Sequence, residues 1–376
     1  MKSLLQCCGT AIVVGIDTRA FLINGDEVTE LKDDKPTTGG DSKPESKDVN
    51  HKGIDPLEIQ CVAISRDADD TIWCAVSRYD KSLAIYRDSK VEVVHTTNKR
   101  SGCLTFAWKP VGMILAGDLV GDATAFPLTN NKKGRLLLGH TASMLTGIRV
   151  VGDTLLTADR DEKVRVSSFP QTCIVRGYLL GHAAFLCSMD IATDDLCVTC
   201  GGDYSVRLWK LSTFTQLASV ETEGLLPTQV STDGERVAVI FHNSNTIHIY
   251  SLMTLELLQT LDSSAQPLGI SLQDSDMFVL SKEPCLLQAY KLVDGKYEST
   301  TDDRFSSLNT QLIDATLPSS ILEADKTTGQ LKLGKVQEHR SANPADIPWN
   351  RVDRIAKSKE SRNRRNKKRK VAAESS

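Results

Sequence analysis

Two successive stretches of this chain carry the same marked residues at a constant separation. Gly139-His140 returns as Gly181-His182, Thr157 as Thr199, Asp161 as Asp203 and Val164-Arg165 as Val206-Arg207, each 42 residues further on. A repeat of about 40 to 45 residues, with Gly-His near its start and a closing Trp, is the signature of a WD-type propeller blade. The closing residue is Trp209 in the second copy, whereas Ser167 stands there in the first. One such unit is a four-stranded sheet that cannot bury both faces alone, so copies stack around an axis. The expected fold class is therefore all-β: a WD-repeat β-propeller. Aligning the turn aspartates Asp80, Asp122, Asp161 and Asp203 gives steps of 42, 39 and 42. Weaker units follow, near Ile247 to Tyr250 and near Leu286 to Tyr290, and six units can be counted from Glu58 to Asp294. Seven blades are favoured, with six or eight left open because the last is poorly marked.

The ends of the chain suggest how such a ring would close. Ala11 to Ile16 and Arg19 to Ile23 read as strands around the turn residues Asp17-Thr18. Residues 1–30 are thus expected to close the propeller, completing a seventh blade with the segment around Leu308 to Leu333. Residues 31–55 are dense in Lys, Asp, Thr, Gly, Ser and Pro, and too poor in apolar side chains to offset their ordering entropy. They read as a mobile loop, and residues 56–333 as the propeller proper. From 334 to 376 the strand pattern is lost, leaving an extended segment around Pro344 to Trp349 and a disordered basic tail.

Charge divides along the same line. The formal net charge is −3, yet residues 351–376 carry eleven Lys/Arg against Asp353, Glu360 and Glu374. A tail of +8 therefore follows a body of about −11. Lys367, Lys368, Arg369 and Lys370 resemble a nuclear-import signal, and the same run suits salt-sensitive contacts to RNA phosphates. Nuclear localisation is the expectation. No stretch approaches the ~18 apolar residues of a membrane span. Ten cysteines in a chain with ample core are expected to be free, buried thiols. The Cys197/Cys200 pair lies on a predicted strand, and no second pair exists to complete a metal site.

His140, Thr157 and Asp161, and then His182, Thr199, Asp203 and Trp209, fit a hydrogen-bond relay inside each blade. The turn Asp accepts from backbone N–H groups, the His bridges it to a strand hydroxyl, and the Trp N–H adds a donor. A hydrolytic Ser/Thr–His–Asp reading is weaker, because the same trio recurs in consecutive repeats. No phosphate-cradling Gly-rich loop and no H-E-x-x-H motif is present. Catalytic residues, a cofactor, a metal and a small-molecule substrate are accordingly not expected, and the chain reads as a binding module.

The first repeat departs from a plain blade in its turn. Thr157-Ala158-Asp159-Arg160-Asp161-Glu162-Lys163-Val164-Arg165-Val166 crowds charge where a blade normally places Gly and a small polar residue. With Leu138 to Thr146, Leu180 to Phe185, Gly201 to Trp209, and Ala116-Gly117-Asp118 followed by Gly121-Asp122, it resembles the WD-repeat, non-catalytic subunit of tRNA (guanine-N7)-methyltransferase. That resemblance implies a scaffold, itself not an enzyme, bound as a heterodimer to a catalytic subunit. The catalytic subunit would hold S-adenosylmethionine and form 7-methylguanosine in the tRNA variable loop. It also implies that Arg160, Lys163 and Arg165 pair with carboxylates of that partner, while Asp161 is used inside the blade. An acidic propeller is poorly suited to hold tRNA by itself, so tRNA is expected to be held mainly by the partner. The alternative is a nuclear WD-repeat adaptor, either a ubiquitin-ligase substrate receptor or a ribosome or chromatin assembly scaffold. Trp209-Lys210 in place of a W-D-x-R ending counts against the receptor.

Overall fold

The computed structural model describes residues 4–33, 55–141, 143–281, 287–300, 305, 308–309 and the backbone of 322–324 and 331–333. These lie in one compact unit, Met1–Gly334. Most of the predicted loop at 31–55 and all of 334–376, Lys367 to Lys370 included, fall outside the described residues.

Seven four-stranded antiparallel sheets follow one another along the chain. Blade 1 is β1 (Leu5–Cys8), β2 (Ala11–Ile16), β3 (Arg19–Asn24) and β4 (Glu27–Glu30). Blade 2 is β5 (Ile59–Arg66), β6 (Ile72–Arg78), β7 (Ser82–Arg87) and β8 (Lys90–Thr96). Blade 3 is β9 (Ser101–Ala107), β10 (Met113–Asp118), β11 (Asp122–Pro127) and β12 (Arg135–Gly139). Blade 4, which carries the charged turn, is β13 (Leu145–Val151), β14 (Thr154–Asp159), β15 (Lys163–Ser168) and β16 (Val175–Leu180). Blade 5 is β17 (Leu186–Thr193), β18 (Leu196–Gly201), β19 (Ser205–Lys210) and β20 (Thr215–Glu221). Blade 6 is β21 (Pro227–Thr232), β22 (Arg236–Phe241), β23 (Thr246–Ser251) and β24 (Leu257–Asp262). Blade 7 is β25 (Pro267–Gln273), β26 (Asp276–Ser281), β27 (Leu287–Val293) and β28 (Lys296–Thr300).

The expected sharing of one blade between the two chain ends is not what forms. Blade 1 is complete within Leu5–Glu30, because β1 and β4 flank the two strands legible in the sequence. The later strands β29 (Leu322–Ala324) and β30 (Leu331–Leu333) pair with each other in a separate two-stranded sheet. Ring closure is instead a packing event. Each inner strand touches the next around the axis, and β25 touches β1. One apolar cluster joins blades 7, 1 and 2 through Leu280, Leu287, Leu5, Ile12, Val62 and Tyr86. Separate clusters fill the other seams, such as Leu155 and Ile148 against Leu115 and Leu138 between blades 4 and 3.

Polar side chains on the inner strands fasten the same ring. The backbone N–H of Cys7 donates to Ser271 Oγ at 3.1 Å across the closing seam, and Ile64 N–H donates to Gln6 Oε1 at 3.2 Å. Arg149 Nε lies 3.3 Å from Asp190 Oδ1, Thr232 N–H donates to Asp190 Oδ2 at 3.2 Å, and Leu272 N–H donates to Ser231 Oγ at 3.0 Å. Hydrogen bonds of this kind, shielded by packed sheets, contribute about 1 kcal/mol each, so the apolar seams remain the larger stabilisation.

Candidate partner-binding surface

Strand pairing fixes which positions of the blades are equivalent. Gly117 faces Ala123, Ala158 faces Val164, and Cys200 faces Val206 across the turn between the second and third strands. The second strand therefore ends on Asp118, Asp159 and Gly201 in blades 3, 4 and 5. The turn closes with a left-handed residue at Lys81, Gly121, Glu162 and Tyr204 in blades 2 to 5. Gly121 is required there for another reason too, since a Cβ would stand 2.4 Å from the Ser143 carbonyl oxygen.

In blade 5 the residues singled out from the sequence are brought together. His182 Nδ1 is 2.9 Å from Asp203 Oδ1, and His182 Nε2 is 2.8 Å from Thr199 Oγ1. Trp209 Nε1–H donates to the same hydroxyl at 2.8 Å. Ser205 Oγ–H and the Arg207 guanidinium also donate to Asp203. Burial acts to raise the Asp203 carboxyl, but these donors and the His182 charge outweigh it and hold the group well below the usual carboxylate range.

Blade 4 corrects the sequence reading. His140 Nε2 meets Thr157 Oγ1 at 2.8 Å, but its Nδ1 meets Asp159 Oδ2 at 2.7 Å rather than Asp161. The reason lies at the strand end. Gly201 leaves room for Asp203 to reach back to His182, for a Cβ there would sit 3.0 Å from His182 Nδ1. Blade 4 has a carboxylate at that strand-end place already, so Asp161 is displaced outward to Arg160, whose Nε lies 3.7 Å away. Asp161 N–H donates to Asp159 Oδ1 at 2.8 Å. The cation shifts with the carboxylate. Lys163 Nζ is 2.9 Å from Asp159 Oδ2, four residues on, as Arg207 is four residues on from Asp203. Burial works to raise the Asp159 carboxyl, yet hydrogen bonds from His140 and Lys163 outweigh it and the group sits below its usual range.

This rearrangement divides the three predicted partner residues. Lys163 already neutralises a carboxylate that is fully buried. Arg165, aligned with Arg207, is released from the relay and donates from Nε to Ser167 Oγ at 3.1 Å and from Nη2 to the Thr172 carbonyl at 3.2 Å. Thr172 Oγ–H in turn donates to the Leu137 carbonyl of blade 3 at 2.6 Å. Arg160 remains one-third exposed at the tip of the turn.

The sequence reading missed the apolar part of this surface. On the outer strand β16, Leu180 lies opposite Lys163 and Tyr178 opposite Arg165, so paired side chains share a face. Leu180, Tyr178, Val175 and the neighbouring Ile174 are all exposed. The run 174–180 is rich in apolar residues, but only pairing shows that β16 is the edge strand of its sheet. Among the described residues no group of three or more His, Cys, Asp or Glu could hold a metal ion. Cys197 and Cys200 are free and buried; burial pushes both thiols far up. Charge with adjacent exposed apolar side chains is the composition of a protein-docking patch.

The chain has recognisable relatives among known proteins. Residues 129–289, which span blade 4 with its charged turn and β16, match the family described as tRNA methyltransferase TRM82 WD40 domain. The chain is similar to the WD-repeat, non-catalytic subunits of tRNA (guanine-N7)-methyltransferase. The resemblance read from the sequence is thereby borne out. One such subunit, named wuho, from Culex quinquefasciatus, is 28% identical over 61% of this chain and 57% of that protein. TRM82 of Kluyveromyces lactis is 31% identical over 46% of this chain and 43% of that protein. The subunit wdr4 of Danio rerio is 26% identical over 61% and 62%. The chain thus matches roughly half the length of these relatives. A chain in a crystal structure of the mitotic checkpoint complex shares the fold at a TM-score of 0.62 and 15% identity, covering 78% of this chain and 87% of its own.

Proposed function

We propose that this chain is the non-catalytic subunit of a heterodimeric tRNA (guanine-N7)-methyltransferase. It binds and stabilises a separate S-adenosylmethionine-dependent subunit that forms 7-methylguanosine in the tRNA variable loop. The reading rests on one observation: the family match over residues 129–289, which runs from the end of blade 3 into blade 7 and includes the turn of blade 4 that departs from its neighbours. That turn offers Arg160, β15 offers Arg165, and β16 adds exposed Tyr178 and Leu180. An apolar centre rimmed by guanidinium groups suits a partner face carrying carboxylates. tRNA would be held mainly by the catalytic chain, with residues 351–370 supplying salt-sensitive phosphate contacts. Lys367 to Lys370 would direct the protein to the nucleus, which a fluorescent fusion with those four residues replaced by Ala tests directly. The decisive experiment is depletion of this chain followed by measurement of 7-methylguanosine in tRNA. Loss of the modification, with a methyltransferase co-purifying in near-equal amount, is expected; unchanged modification would sink the reading.

A further inference from the structure

Blade 3 keeps the relay carboxylate of blade 4 and has lost everything that blade 4 puts around it. Asp118 occupies the place of Asp159 at the end of the second strand. Ala116 stands where Thr157 stands, and Phe126 where Ser167 stands. Asp122 takes the place of Lys163, so the position four residues on carries like charge instead of the neutralising ammonium. The connection before β9, residues 97–100, holds no histidine. Thr97 there turns its hydroxyl to the Lys81 and Lys99 carbonyls at 3.0 and 2.7 Å.

The volume vacated by these changes is open. A cavity of about 230 Å³ lies at this place, lined by Asn98, Ala116, Asp118, Asp122, Thr124 and Phe126 among others. Lys99 and Lys133 line it as well, and both are exposed. Asp118 is 8% exposed. Its Oδ1 accepts from the backbone N–H groups of Val120, Gly121 and Asp122 at 2.8 to 3.0 Å, while its Oδ2 has no hydrogen-bond partner among the described residues. Burial lifts the Asp118 carboxyl above the usual range, the opposite of Asp159, whose cation is present.

Blades 4 and 5 show what the relay carboxylate binds: a side-chain cation, Lys163 for Asp159 in blade 4 and Arg207 for Asp203, which reaches back from the turn, in blade 5. We propose that the blade 3 cavity is a docking site for an arginine side chain of a partner polypeptide, which supplies from outside the cation that the blade lacks. Arginine fits better than lysine. Asp118 Oδ2, the Asp122 carboxylate, Asn98 and Thr124 present acceptors in several directions, matching a five-donor planar group. Lys99 and Lys133 then call for acidic residues beside that arginine. The cavity shares no lining residue with the blade 4 surface, and the proposal does not depend on the methyltransferase reading.

The probe is the peptide acetyl-Glu-Arg-Glu-amide, titrated into the full chain by calorimetry or NMR, with a citrulline counterpart that keeps shape and removes charge. Saturable binding at millimolar peptide, about tenfold weaker with citrulline, is expected. Asp118→Asn keeps the Oδ1 acceptor for the three backbone groups and should weaken binding by a similar roughly tenfold factor without lowering Tm. Asp122→Lys rebuilds the blade 4 arrangement and should abolish binding while raising Tm. Equal binding of the arginine and citrulline peptides, or arginine binding unaffected by both substitutions, overturns the proposal. Spermidine binding more tightly than the peptide overturns the assignment to a polypeptide.

Discussion

At the scale of single residues, two carboxylates two positions apart in one turn have different fates. Asp159 is fully buried between His140 and Lys163, whereas Asp161 is half exposed beside Arg160. Asp159→Ala leaves a buried imidazole and an ammonium without their acceptor and should cost about 3 kcal/mol. Asp161→Ala should stay within about 0.5 kcal/mol, and chemical denaturation of both variants checks the contrast. The pH dependence follows from the same groups. Asp159 and Asp203 have folded pKa values below their unfolded ones, so their stabilisation is full above about pH 5 and is lost as pH falls through the folded values. Asp118 has the opposite sign, and its cost at neutral pH fades on acidification. A Tm series between about pH 3 and pH 7 should fall on the acid side, with a smaller fall in Asp203→Asn. Here the sequence was legible in one copy and misread in the other. Spacing located both aspartates, but only the space left by Gly201 decides which carboxylate reaches the histidine.

At the scale of elements, blade 4 joins a structural cation and an interaction surface in adjacent strands. Charge reversal at Lys163 is therefore a poor probe of partner binding. Lys163→Glu places two carboxylates together at Asp159 and should lower Tm along with complex formation. Arg160→Glu combined with Leu180→Glu changes a partly exposed guanidinium at the tip of the turn and an exposed leucine, neither of them bonded to the buried relay. That pair should weaken the complex with the catalytic subunit by at least about tenfold while the isolated chain keeps its melting temperature, as a pull-down beside thermal denaturation would show. A Tm drop equal to that of Lys163→Glu would assign the pair a structural role instead. β16 was missed as a surface because a strand's alternation says which residues share a face. It does not say whether another blade covers that face.

For the whole molecule, stability belongs to the ring more than to any blade, because each apolar cluster is built from two or three neighbouring sheets. Deleting residues 1–30 removes blade 1 and with it both seams that it fills. The remaining sheets should then lack a sharp cooperative melt by circular dichroism, whereas Ser271→Ala, which removes one closing acceptor, should cost only about 1 kcal/mol. The sequence by itself determined the blade, since repeat period, alternating apolar residues and turn chemistry are local and recur along the chain. It also marked the blade 4 turn, where charge replaces the plain pattern. Tertiary structure decided what depends on contacts between distant residues. The ring closes through a complete N-terminal blade seated against β25. Lys163 is consumed by a buried carboxylate while Arg165 is released. Blade 3 opens a cavity at the place that His140 and Lys163 fill in blade 4. Each of these outcomes turns on the space and charge that packed neighbours leave, and that is settled only when the sheets meet.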